Sequence, residues 1–131
     1  MCYDKHGSVN SMEQFSRTIS LVGQEAFDRV HRARVAVFGV GGVGGYVCEA
    51  LVRSGIAEID LFDRDDVSIS NLNRQIIALH STIGQDKVDA MAARLKDINP
   101  DVRVNCRKMF YLPATADEVD LSVYDFVVDA V

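Results

Sequence analysis

Residues 34–45 read Arg34-Val35-Ala36-Val37-Phe38-Gly39-Val40-Gly41-Gly42-Val43-Gly44-Gly45. The first five form a short apolar, β-branched run ending on glycine, the form of a buried strand in a parallel sheet. Gly39, Gly41 and Gly44 then satisfy G-x-G-x-x-G, and Tyr46 to Ser54 carries a helical pattern closed by Gly55. Beyond it, Glu58-Ile59-Asp60-Leu61-Phe62-Asp63 reads as a second strand with an acid at its C-terminal end. Asp63 stands about 20 residues past the glycines, where ribose recognition requires a carboxylate. Glycines let the backbone turn tightly and approach a phosphate, and the following helix offers it unpaired N–H groups. Strand, loop, helix and acid in this order predict a nucleotide site. They leave the nucleotide open, with NAD the default and an NAD-dependent oxidoreductase allowed.

Working outward, Phe15, Ile19, Val22, Ala26, Phe27 and Val30 recur at roughly helical spacing between Met12 and His31, with Gly23 as a break. Residues 1–11 are polar and predicted to be flexible, which leaves 12–131 as the nucleotide-binding domain. On the other side, a polar stretch from Arg64 to Asn73 leads into a short amphipathic helix over Arg74 to Leu79. Gln85 to Ile98 reads as a full helix with Val88, Met91, Ala92, Leu95 and Ile98 on one face, stopped by Asn99-Pro100. Val102 to Cys106 and Asp125 to Asp129 read as two further strands. The alternation predicts an α/β, Rossmann-like fold: a mostly parallel sheet with helices on both faces. Because the chain stops beside a strand with no closing helix, it reads as a longer protein truncated after the fourth strand.

The chain has 131 residues, 14 Lys+Arg and 19 Asp+Glu, for a net charge of −5. Its 48% hydrophobic and 25% charged residues are a globular balance, against disorder. No apolar run is long enough for a membrane span, and the N-terminus lacks a secretory h-region, so the sequence predicts a cytoplasmic protein. The acidic balance gives nucleic-acid binding no support, and Arg103, Arg107 and Lys108 read as a solvated face. Cys2, Cys48 and Cys106 form no CxxC. Cys48 reads as a core residue, and His6, His31 and His80 as scattered surface residues without metal-ligand spacing.

Charge narrows the nucleotide. Arg74 falls near the sheet edge and Lys87 in the first turn of the next helix. A dinucleotide on a helix N-terminus needs no cation there, whereas a triphosphate, with about four negative charges, needs an arginine and a lysine or a metal. Taken singly, each would read as a surface charge. Asp65 and Asp66 could order a cation or form a turn.

At this point the sequence resembles the adenylyltransferase superfamily of ubiquitin-activating enzymes. Gly39-x-Gly41-Gly42-x-Gly44, Asp63-x-Asp65, Ser70-Asn71-x-Asn73-Arg74-Gln75 and Gly84-x-x-Lys87 carry the resemblance, with Gly23-Gln24-Glu25 and Ile98-Asn99-Pro100 in support. Asn73-Arg74-Gln75-Ile76-x-Ala78-Leu79 followed by Thr82-Ile83-Gly84 is most similar to the tRNA threonylcarbamoyladenosine dehydratases. The resemblance implies ATP and Mg²⁺ as cofactors, and cyclisation of threonylcarbamoyladenosine at position 37 of tRNA through an adenylated carboxylate. It implies Gly39, Gly41, Gly42 and Gly44 at the phosphates, Asp63 on the ribose, and Asp65, Ser70 and Asn71 along the same path. Arg74 and Lys87 would neutralise the phosphates. Arg17 matches an arginine that such enzymes reach into a partner's site, which implies a homodimer; it reads equally as an exposed helix charge. A sulfur-carrier protein, adenylated at its C-terminal glycine, is the alternative acceptor. The resemblance also places a metal-binding aspartate and the rest of the sheet beyond Val131. Asp129 could touch the metal or cap its strand.

Overall fold

The computed structural model describes residues 12–131. The predicted flexible segment 1–11, with Cys2 and His6, lies outside the described residues. A single 3₁₀ turn, Glu13–Phe15, opens onto helix α1 (Ser16–Val22), and Gly23, at φ +84°, breaks the chain into α2 (Gln24–Arg32). Then follow β1 (Arg34–Phe38), α3 (Gly44–Ser54), β2 (Glu58–Phe62), α4 (Lys87–Ile98), β3 (Arg103–Arg107) and β4 (Phe126–Asp129). The four strands pair in the order β3-β2-β1-β4, all parallel. This is the expected Rossmann-like sheet. The direction of the strand order changes between β1 and β4, the position where such sheets open a crevice for ligands.

Register sorts the side chains by face. Val35 lies opposite Ile59 and Phe126, and Ile59 opposite Val104. Val35, Val37, Ile59 and Leu61, with Val104 and Val128 beside them, meet the apolar sides of α3 and α4, namely Cys48, Val52, Val88, Met91 and Leu95, while Phe126 is exposed. Cys48 is the predicted core residue; burial pushes its thiol up to about 12, so it stays a neutral apolar filler. The opposite face presents Ala36, Phe38 and Phe62 to Met109, Val119 and Tyr124. The sequence predicts helices on both faces. On this one the β3–β4 crossover contributes only the single turns Ala116–Glu118 and Leu121–Val123.

On the second face Asp60 is fully buried. Its carboxylate accepts from Arg34 Nη2 at 3.0 Å, Asn105 Nδ2 at 2.8 Å and Tyr124 OH at 2.7 Å. Burial pushes the carboxyl up, but the bonds from Arg34, Asn105 and Tyr124 outweigh it and hold it below the usual carboxylate range. The guanidinium of Arg34 also stacks 4.9 Å from the centre of the Tyr124 ring.

Three sequence expectations change. The predicted helix over Arg74 to Leu79 is a run of turns: Thr82 Oγ1 accepts the Leu79 N–H at 2.9 Å, so a side chain takes the bond a helix would send to Gln75. His31 is half-buried rather than a surface residue; its ring stacks on Phe27 at 5.5 Å and Nδ1–H donates to the Gly55 carbonyl at 2.8 Å. α3 begins at Gly44, and α4 at Lys87. Helix ends differ from the pattern because the glycine loop and the Asp66–Asp86 bridge set where each helix can start.

Candidate nucleotide-binding site

The glycine loop leaves the C-terminal end of β1, and each glycine answers a different constraint. Gly39 has φ +88°, and a Cβ there would stand 2.8 Å from the Ala130 carbonyl oxygen, so the loop passes flush against the end of β4. A Cβ on Gly44 would fall 1.7 Å from the Gly39 carbonyl oxygen, which makes glycine obligatory for the turn into α3. Gly41 and Gly42 are different: their nearest neighbours would be Gln75 Nε2 at 3.6 Å and Arg74 Cγ at 3.7 Å, ordinary contacts. Neither needs to be glycine for the protein's own packing. What their missing side chains leave open is room for a ligand.

Asp63 follows β2 and is 7% exposed. Oδ2 accepts the Val40 N–H at 2.8 Å and Oδ1 the Asp65 N–H at 2.8 Å, so the acid pins the glycine loop and the next loop together. Each oxygen keeps a lone pair for a further donor. Gly39, Gly41, Asp63, Asp65 and Lys87 line one cavity of about 210 Å³, closed by Phe38, Phe62, Met109, Phe110, Tyr111 and Ala130. Phe38 stacks on Phe62 at 4.3 Å and meets Tyr111 at 4.9 Å.

The cations arrive by separate routes. Lys87, at the first turn of α4, is only 6% exposed, and its Nζ donates to Asp65 Oδ2 at 3.0 Å. Arg74 lies across Gly42, its Nη1 donating to the Ser70 carbonyl at 3.1 Å and to Asn73 Oδ1 at 2.9 Å. Asn71 is buried and its Oδ1 accepts the Ser68 N–H at 2.9 Å; the Ser70 hydroxyl pairs with that of Ser68 at 2.8 Å. Ser70 and Asn71 therefore build the turn that presents Arg74. Neither lines the cavity in the free chain.

The structure thus brings the four predicted glycines, Asp63, Asp65, Arg74 and Lys87 to one end of the sheet. It does not bring Arg17 there: that side chain is exposed on α1 and does not line the cavity. Asp129 is exposed, its Oδ1 accepting the Val131 N–H at 3.1 Å, a strand-end role. Arg103 pairs with Glu58, and Lys108 with Asp66 and Asp86, so acids neutralise much of the basic edge. Sequence reasoning passed over the wall from Met109 to Tyr111. Its signal is the apolar run Met109-Phe110-Tyr111-Leu112 between a strand and Pro113.

A glycine loop, an acid and a lysine around a cavity at the change of strand order define a Rossmann-like nucleotide-binding domain. The chain belongs to the ThiF family, whose model matches residues 15–131. It is 49% identical over 119 residues to the tRNA threonylcarbamoyladenosine dehydratase of Bacillus subtilis, covering 91% of this chain and 47% of that protein. Among solved structures, that of Escherichia coli tRNA N6-threonylcarbamoyladenosine dehydratase, TcdA, in complex with ATP superimposes with a TM-score of 0.88 at 40% identity, over 92% of this chain and 49% of that one. The sulfur carrier protein adenylyltransferase of Thermus thermophilus is 36% identical over 121 residues, 91% of this chain and 44% of that protein. The chain spans about half the length of these relatives. Among the described residues no helix is long and apolar enough to cross a membrane.

Proposed function

We propose that the chain is the nucleotide-binding part of an ATP-dependent, cytoplasmic enzyme that dehydrates threonylcarbamoyladenosine at position 37 of tRNA. The observation that carries this reading is Arg74 lying across Gly42 while Lys87 is buried beside Gly41 and Asp63. Two cations at a glycine loop suit a triphosphate better than a dinucleotide. The ATP-bound relative and the dehydratase relative agree with it.

In this reading the free lone pairs of Asp63 accept the ribose hydroxyls. The open Cα positions of Gly41 and Gly42 admit the phosphates, which Lys87 and Arg74 neutralise. The threonylcarbamoyl carboxylate attacks the α-phosphorus, the bond to the β-phosphate oxygen breaks, and pyrophosphate leaves. An internal nitrogen then attacks the acyl carbon and displaces AMP, closing the ring with net loss of water. The protein's work in the first step is positioning and charge placement, so no acid–base pair is required. Mg²⁺ would come as part of the Mg·ATP substrate and would screen the charge of the triphosphate. Among the described residues no group of three His, Cys, Asp or Glu could hold a resident metal, and no step here passes through one. Arg17 on α1 reaches across a homodimer interface in this reading.

Calorimetric titration with Mg·ATP and separately with NAD tests it, with Arg74→Ala as control. ATP binding weakened by the substitution, with NAD silent, is the expected result. NAD binding indifferent to Arg74 would return the chain to the oxidoreductases. In the whole enzyme, Arg74→Ala or Lys87→Ala should lower turnover on threonylcarbamoyladenosine-containing tRNA by about 10²–10³. The sulfur-carrier relative supports one other acceptor, a carrier protein ending in glycine; pyrophosphate release on addition of such a carrier but not tRNA would select it.

A further inference from the structure

Tyr46 stands on the first turn of α3 and is 55% exposed. The two other tyrosines among the described residues have tasks inside the fold: Tyr111 meets Phe38 in the cavity wall, and Tyr124 donates to Asp60. Among the same residues Tyr46 has no ring or cation to meet, and its hydroxyl makes no hydrogen bond. One exposed apolar side chain is by itself ordinary on a folded surface. The place of this one is not.

The Gly45 N–H donates to the Gly41 carbonyl and the Val47 N–H to that of Val43, both at 3.1 Å, so helical turning begins within the glycine loop. Gly42 and Tyr46, four residues apart, therefore share one face. Helical side chains lean toward the N-terminus, which aims the ring at the turn that holds Gly42. Gly42 has no side chain to intervene, and a Cβ there would meet only Arg74, at 3.7 Å. An aromatic plane thus stands beside the phosphate path, outside the cavity that Phe110 and Tyr111 close. The proposed reaction brings a second molecule to that place. Position 37 lies in the anticodon loop, a single-stranded turn, and proteins hold the bases of such loops by stacking them on aromatic rings. From the adenine N6 to the carboxyl carbon of the threonylcarbamoyl group is four bonds, about 5 Å when extended. That is about the length of one helical turn, so a base held one turn from Gly42 can deliver its carboxylate to the phosphates. We infer that Tyr46 is a tRNA-binding residue, whose ring stacks on the adenine that carries the threonylcarbamoyl group. This rests on the dehydratase reading above. A carrier-protein tail ending in glycine has no base to stack, so Tyr46 also distinguishes the two acceptors.

The test uses the whole enzyme and an anticodon stem-loop carrying threonylcarbamoyladenosine. Tyr46→Ala should raise the KM for that RNA about tenfold, the scale of one lost base–aromatic stack. Its ATP affinity by calorimetry and its melting temperature should stay at the parent's values, because an exposed ring without partners has left. Tyr46→Phe, which keeps the ring, should match the parent on the RNA. Equal KM for the parent and Tyr46→Ala overturns the inference. So does a Tyr46→Phe variant as weak as Tyr46→Ala, because the hydroxyl then carries the contact. A loss of ATP affinity equal to the loss for RNA places Tyr46 on the nucleotide, and a changed oligomeric state in sedimentation places it between two copies; either overturns the inference. In all these cases the parent still acts on the RNA and the dehydratase reading stands. If the parent does not dehydrate the RNA, that reading fails and takes the inference with it.

Discussion

Lys87 and Asp65 hold each other twice: the backbone N–H of Lys87 donates to the Asp65 carbonyl at 3.0 Å, and its ammonium to the Asp65 carboxylate at 3.0 Å. The first bond positions the start of α4 whatever the side chains do. The second means that in the free chain the lysine is already neutralised, and that removing it uncovers an acid beside the phosphate path.

Lys87→Ala should therefore weaken ATP binding through two effects, the lost cation and the exposed Asp65 carboxylate, by about 10- to 100-fold together. Asp65→Ala added to Lys87→Ala should recover part of that loss. A double-mutant cycle by calorimetry measures the coupling. A double variant weaker than Lys87→Ala would mean that Asp65 itself holds the ligand.

The glycines separate folding from binding. Gly44→Ala drives a methyl group into the Gly39 carbonyl, a clash only backbone movement relieves, and should cost more than about 4 kcal/mol or prevent folding. Gly42→Ala meets nothing closer than 3.7 Å and should melt within a degree or two of the parent while binding ATP poorly. Equal ATP binding by Gly42→Ala would take the phosphates away from this part of the loop.

Asp60 predicts the acid limit of stability. Its folded pKa lies below the unfolded one, so its contribution is present above about pH 4 and is lost as pH falls through the folded value. Asp60→Ala leaves Arg34, Asn105 and Tyr124 without their shared acceptor and should cost about 3 kcal/mol at neutral pH. Urea melts from pH 7 downward should be flatter in the variant than in the parent.

Tyr124 sets the corresponding alkaline limit. Burial and the adjacent Asp60 carboxylate push its phenol up to about 12. A raised pKa gives stability that is whole below the unfolded value of about 10 and lost as pH rises through the folded one. Tyr124→Phe should remove this part of the decline between about pH 10 and 12, measured by melting the two proteins side by side.

Where periodicity was strong, the fold was legible. The run from Val35 to Phe38, the glycine loop and the face of α4 carried their own signals, and Asp63 could be placed by spacing alone. The turns after Arg74 could not be read, because Ile77 and Ala78 are buried side by side and the Thr82 hydroxyl replaces a helical bond. Gln75 was visible within a motif, but the missing partner of its buried Oε1 belongs to the folded interior and leaves no trace in composition. The cavity wall from Met109 to Tyr111 comes from a crossover without regular period, so only the sheet brings it to Phe38 and Phe62.

The carboxylate of Asp60 draws its donors from three separate parts of the chain: Arg34 on β1, Asn105 on β3, and Tyr124 just before β4. A slip of one residue in β2 would exchange it for Ile59 or Leu61 and turn the acid into the apolar layer beneath α3 and α4, without an acceptor role to fill. Parallel strands brought together by long crossovers have few local means of finding alignment, and apolar side chains of similar size tolerate several. One charged side chain thus discriminates among alignments that hydrophobic packing alone would rank nearly equal, and it does so on the face of the sheet that has the least regular cover.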